Sequence, residues 1–251
     1  MAGEETGSGA APLAASAYAR VSQAVDFYNA ARYDLSVQAA EAAVKLEPAM
    51  AEGHAILACA LAQLKRGDAA LAEADVALGL DPACVLAHGA RSEAFLALGL
   101  RWHAELEARE ALRIAPNDVH LVTDLAAILV GSTRYEEALA VVDRALTLHP
   151  QHVRALRMRA LSLAFMNRPD EALAVLASAL ASDPDSPYLH DAVALALEKR
   201  ANLEAAATAY RRALQIKPGD GVARRGLRRT TAPYRWLVPG HVTAWLRSRL
   251  F

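Results

Sequence analysis

The chain has 251 residues, of which 54% are hydrophobic but only 6% aromatic, so alanine and leucine carry most of its apolar surface and suit it to closely packed helices. Its formal net charge of −1 hides an asymmetry: residues 1–210 hold 17 basic and 27 acidic side chains, whereas residues 211–251 hold 10 basic side chains and one acid, Asp220. That acidic bulk disfavours a phosphate backbone as partner, and the two lone cysteines, Cys59 and Cys84, exclude a disulfide framework and fit a reducing, cytoplasmic setting.

The N-terminal stretch MAGEETGSGAAPLAAS lacks the basic start and apolar core of a signal peptide and reads as a disordered segment over residues 1–16. From there the chain is periodic. Prolines stand at positions 48, 82, 116, 150, 184 and 218, each 34 residues after the last. Five residues before each comes Ala43, Ala77, Ala111, Ala145, Ala179 or Ala213. Eight before stands Ala40, Ala74, Ala108, Val142, Leu176 or Tyr210, and twelve before stands Ser36, Ala70, Ala104, Ala138, Ala172 or Ala206. Small residues at these intervals let helices approach closely, with one larger side chain filling the gap between them. Asp68 and Asp170 are placed to cap second helices, and Pro187 to open a first one. The spacing predicts twelve repeat helices and no strand. After Pro218, DGVARRGLRR begins a further first helix with Leu227 on its packing face, which predicts a C-terminal cap.

The segments YEEALAVVDRALTLHP and PDEALAVLASALASDP resemble the tetratricopeptide repeat, a 34-residue helix–turn–helix unit. The resemblance covers residues 17–220 as six repeats, 17–50, 51–84, 85–118, 119–152, 153–186 and 187–220, followed by a cap and basic aromatic tail over 221–251. The family's Trp position is held by Arg20, His54, His88, Val122, Leu156 and His190, and its small-residue position by Ala24, Ala58, Ser92, Ala126, Ala160 and Ala194. Arg91 and Arg159 depart from the family's usual Leu. The resemblance implies an all-α, right-handed superhelical solenoid with a concave binding groove.

No GxxxxGK[ST], GxGxxG, GxSxG or HExxH motif occurs, so no catalytic residue and no cofactor are assigned. The histidines and cysteines fit no zinc spacing, so no metal is assigned. The reading is a non-catalytic scaffold that recruits a protein or peptide. The resemblance implies groove residues Val25, Tyr28, Asn29, Cys59, Gln63, Glu93, Leu96, His120, Thr123, Val130, Arg154, Arg157, Leu161, Phe165, Tyr188, Asp191 and Glu198. The Lys and Asn clamp with which chaperone-binding members hold a terminal carboxylate is missing, since Val21, Val25 and Ile56 stand in its place.

The last stretch, TTAPYRWLVPGHVTAWLRSRLF, can form an amphipathic helix with Val242, Trp245, Leu246 and Leu250 on one face and Arg247 and Arg249 elsewhere. With Trp236 and Leu237 it covers the open end of the repeats or curls into the groove, lies on a membrane surface, or forms a dimer or partner-protein interface. The membrane alternative makes the protein a peripheral adaptor at the inner membrane face, and a further functional alternative is an accessory subunit of an enzyme complex. No run of 18 apolar residues predicts a membrane-spanning helix.

Overall fold

The computed structural model describes residues 10–231, with side chains from residue 15 onward, and those residues form thirteen α-helices and no strand. They divide into two compact units, one running through Ile128 and the other starting at Leu129. The first holds α1 (Ala10–Asn29), α2 (Tyr33–Leu46), α3 (Ala51–Gln63), α4 (Gly67–Leu80), α5 (Val85–Ala97), α6 (Arg101–Ile114) and most of α7 (Val119–Gly131). The second holds α8 (Tyr135–Leu148), α9 (Val153–Phe165), α10 (Pro169–Ser182), α11 (Pro187–Lys199), α12 (Leu203–Ile216) and α13 (Gly221–Thr231). The all-α repeat-solenoid class is therefore as expected, with consecutive helices packed as hairpins in each unit. No described helix is long and apolar enough to cross a membrane. The tail residues Trp236, Leu237, Val242, Trp245, Leu246, Arg247, Arg249 and Leu250 lie outside the described residues.

Two local expectations are corrected. Helix α1 starts at Ala10, inside the segment read as disordered, because AAPLAAS consists of strong helix formers with its proline tolerated in the first turn. Asp68 and Asp170 are not N-caps. The caps are Arg66 and Arg168, and the two acids sit within the first turn, where they face the positive end of the helix dipole. Pro187 does open α11.

The reason for the shifted caps is the turn between the helices of each hairpin. Ala31, Lys65, Gly99, Thr133, Asn167 and Ala201, again 34 residues apart, all have a left-handed φ of 55–78°. In each, the following N–H reaches back five residues, as from Arg66 to the Leu61 carbonyl at 3.0 Å and from Arg168 to that of Leu163 at 2.9 Å. This bond pattern closes a helix and reverses the chain at once. Only Gly99 and Asn167 advertise it, since the other four positions carry side chains that disfavour the conformation.

The hairpins meet on alanine. Ala43, Ala77, Ala111, Ala145, Ala179 and Ala213 are all buried, as are the residues eight before each proline. Where the small residue is serine, its hydroxyl ties helix to helix: Ser36 Oγ donates to the Ala24 carbonyl and Ser92 Oγ to that of Ala104, both at 2.8 Å. The histidines in the family's Trp position strap one repeat to the last. His54 places Nε2 3.1 Å from the Pro48 carbonyl and Nδ1 2.7 Å from Glu73, and His88 repeats this with Pro82 and Glu107 at 3.1 and 2.8 Å. His190 reaches the Pro184 carbonyl at 2.9 Å. Replacing the buried His88 by alanine should lower stability by ~1–2 kcal/mol, because the Pro82 carbonyl and a half-buried carboxylate lose a partner. His190→Ala, at a wetter site, should cost less. Urea midpoints of the two variants test this, and equal losses would count against the strap.

The arginines that depart from the family pattern are accommodated by charge. Arg91 bridges Asp75 on α4 and Glu107 on α6 at 3.0 and 2.6 Å, and Arg159 pairs with Asp143 at 2.8 Å. At the C-terminal end, Asp220 Oδ1 accepts from the N–H groups of Val222 and Ala223, starting α13. Leu227 packs, as expected, against the cluster of Ala194, Tyr210, Ala213 and Ala223.

Candidate partner-binding site

In the N-terminal unit, the packing of α1, α3 and α5 brings one polar residue from each of three helices together. Tyr28 closes α1, Gln63 closes α3 and Glu93 lies mid-way along α5. The Tyr28 hydroxyl lies 3.1 Å from both carboxylate oxygens of Glu93 and donates to them, while Gln63 Nε2 donates to Glu93 at 3.2 Å and to the Tyr28 oxygen at 3.3 Å. Burial first, and the Glu93 charge second, push the Tyr28 phenol far above its usual range, so it remains a donor. Cys59, fully buried nearby, has its thiol pushed up by burial and by the charges of Glu93 and Asp124. It stays protonated at neutral pH.

Beside this network lies a cavity of about 230 Å³. Its walls come from Gln63 at the end of α3 and Lys65 just after it, Glu93 and Leu96 on α5, Leu121, Asp124 and Ile128 on α7, and the small residues Ala62, Gly89, Ser92, Ala97, Ala108 and Ala127. Ala108 on α6 and Asp124, 16 positions later on α7, both stand in these walls. The same pair of positions is held by Ala40 and Ile56, by Ala74 and Ala90, and by Leu176 and Ala192 in other repeats, each pair within one core cluster.

The expected groove residues divide accordingly. Gln63, Glu93 and Leu96 line the cavity, and Tyr28 anchors its polar edge. Val25 packs with Tyr28 against the Cys59 cluster, and Asn29 is exposed at the helix end. Cys59 and Thr123 are buried rather than on the surface, Thr123 donating to the His120 carbonyl at 2.8 Å. His120 is exposed at the start of α7, its N–H bonded to Asp118, and the half-buried Val130 accepts the turn N–H of Thr133.

In the C-terminal unit, Arg157 and Tyr188 meet: the guanidinium sits 5.4 Å from the ring centroid and Nε donates to the Tyr188 carbonyl at 3.2 Å. Lys217 covers the same ring at 4.8 Å and donates to its hydroxyl at 2.8 Å. Asp191, at the position of Arg157 one repeat later, is only 6% exposed, and its Oδ1 has no hydrogen-bond partner among the described residues. Burial, then the charge of Asp220, raise its carboxyl from an ordinary 3.8 to about 6, against the pull of Arg157 and Lys217. Arg154 is exposed on α9. Leu161 packs into the α9–α11 core, and Phe165 stacks on Tyr135 at 5.0 Å with Lys199 over its face. Glu198 is held in a fork by Arg229 at 2.7 and 2.8 Å. Arg157, Phe165, Tyr188 and Glu198 are thus each engaged by side chains of their own unit.

Leu121, Asp124 and Ile128 were not read from the sequence. The visible signal was the pairing of alanine at position 108 with a carboxylate at 124, a gap with a charge on its edge.

Family models described as the tetratricopeptide repeat match residues 21–83 and 129–196. Among solved structures, YrrB, titled a TPR protein with an unusual peptide-binding site, shares 23% identity over 75% of this chain and 97% of its own, with a TM-score of 0.52. A tetratricopeptide repeat protein from Parabacteroides merdae shares 14% over 86% and 84%, with a TM-score of 0.69. PilF of Pseudomonas aeruginosa shares 13% over 85% and 97%, with a TM-score of 0.65. At these identities the likeness is one of fold. No curated protein matches the sequence significantly.

Proposed function

Since the chain belongs to the tetratricopeptide repeat family, whose helical hairpins serve as protein-interaction scaffolds, we propose that it is a non-catalytic scaffold recruiting a protein or peptide segment on the first-helix face of its N-terminal unit. The observation that carries this reading is the cavity bordered by α3, α5 and α7, where a fixed polar network adjoins exposed apolar side chains. Such a surface is arranged for recognition. Leu96, 41% exposed, supplies an apolar contact, and the Tyr28–Gln63–Glu93 network presents a carboxylate whose orientation is set before any partner arrives. Preorganisation of this kind lowers the ordering cost of binding. The chemistry present supports binding rather than turnover: the Cys59 thiol is buried and protonated, so it is a poor nucleophile.

Affinity purification of the full chain from its native cells, quantified against a Leu96→Arg variant, tests the reading. A partner should be recovered with the unaltered chain and fall at least tenfold with the variant, because a central apolar contact becomes a buried charge. Equal recovery with both chains would sink it.

A further inference from the structure

We propose that the cavity bordered by α3, α5 and α7 receives a basic side chain, lysine or arginine, of the bound segment, an inference that rests on the partner-binding reading above. Two carboxylates, Glu93 on α5 and Asp124 on α7, stand in its walls against a single amine, that of Lys65. The charges of Glu93 and Asp124 both act on Cys59, so their fields converge on the α3 side of the site. Beside them on the same helix faces, one turn away, the walls are apolar, from Leu96, Leu121 and Ile128. Long basic side chains divide in the same way, with an aliphatic stem that lies along apolar surface and a cationic head that seeks oxygen. At about 230 Å³ the cavity is many times the ~10–15 Å³ that one water needs, and it has room for a stem and its head group.

The alternatives fit worse. An apolar side chain would take two carboxylates out of water without bringing a positive charge to them, which is costly. An acidic one would add a third negative charge. Glu93 is moreover held in place by the Tyr28 hydroxyl and the Gln63 amide, so a cation meets it without reorganising the wall. The excess of acidic over basic residues across positions 1–210 draws basic segments toward the site from a distance.

The experiment selects a phage-displayed random dodecapeptide library on the full-length protein and in parallel on its Glu93→Gln and Asp124→Asn variants, whose helical content and melting are checked first. Binders to the unaltered protein should be enriched in Lys or Arg at one position, and that enrichment should vanish with both variants. A synthetic binder whose basic residue is replaced by norleucine, which keeps the stem and loses the charge, should bind about tenfold or more weakly. Binders without a basic preference, or one that survives both variants, would overturn this inference while leaving the groove reading standing. A complete lack of binders would overturn both.

Discussion

Gly226→Ala is expected to destabilise the C-terminal unit by ~2–3 kcal/mol, a large loss for a single added methyl. A Cβ at this position would lie inside the ring of Tyr210, 2.5 Å from its Cε1 and Cε2 and nearer still to Cζ. The ring cannot step aside. Tyr210 is 2% exposed, packs with Ala194, Ala213 and Ala223, and its hydroxyl accepts from Arg229 at 3.3 Å. The cost therefore appears as displacement of α13 or strain in the ring. One repeat earlier the equivalent positions hold Leu176 and Ala192, which share one core cluster. The double variant Tyr210→Leu/Gly226→Ala reproduces that pair and should recover much of the loss, a coupling that a thermodynamic cycle measures. If Gly226→Ala proves as stable as the unaltered chain in urea, the complementarity argument fails.

Asp191→Asn should raise stability at pH 8 by roughly 1–2 kcal/mol and change its dependence on pH. The folded carboxyl titrates near 6 against an ordinary 3.8, because burial and Asp220 disfavour its charge. Between those values the unfolded chain binds fewer protons than the folded one. Stability from this group therefore falls as pH rises through about 4 to 6 and levels above, by on the order of 2–3 kcal/mol. The amide cannot ionise, so the variant lacks this fall, although its own buried polar atoms keep the gain below the full amount. Glu107 runs the other way: although burial opposes it, hydrogen bonds from Arg91 and His88 hold its carboxyl low, so its contribution is lost as pH falls. The informative quantity is thus the difference between the two proteins in urea midpoint, measured from pH 4 to pH 8. A difference that stays constant across that range would refute the account.

The repeat length, the helical hairpins and the buried alanines were legible in the residue order alone, and Gln63, Glu93 and Leu96, expected on one face, do line one cavity. These follow from local spacing, because a helix repeats its faces every few residues and a hairpin repeats them every 34. Most of the turns were hidden, since left-handed φ angles at Ala31, Lys65, Thr133 and Ala201 belong to side chains that do not favour them and are held by the closing hydrogen bonds. Where space remains between the helices was settled by packing. A cavity is volume left over between three helices, and it depends on the sizes of residues far apart in the chain. Leu121, Asp124 and Ile128 line it beside Gln63 and Glu93, residues roughly 30 to 60 positions away that no local pattern pairs with them.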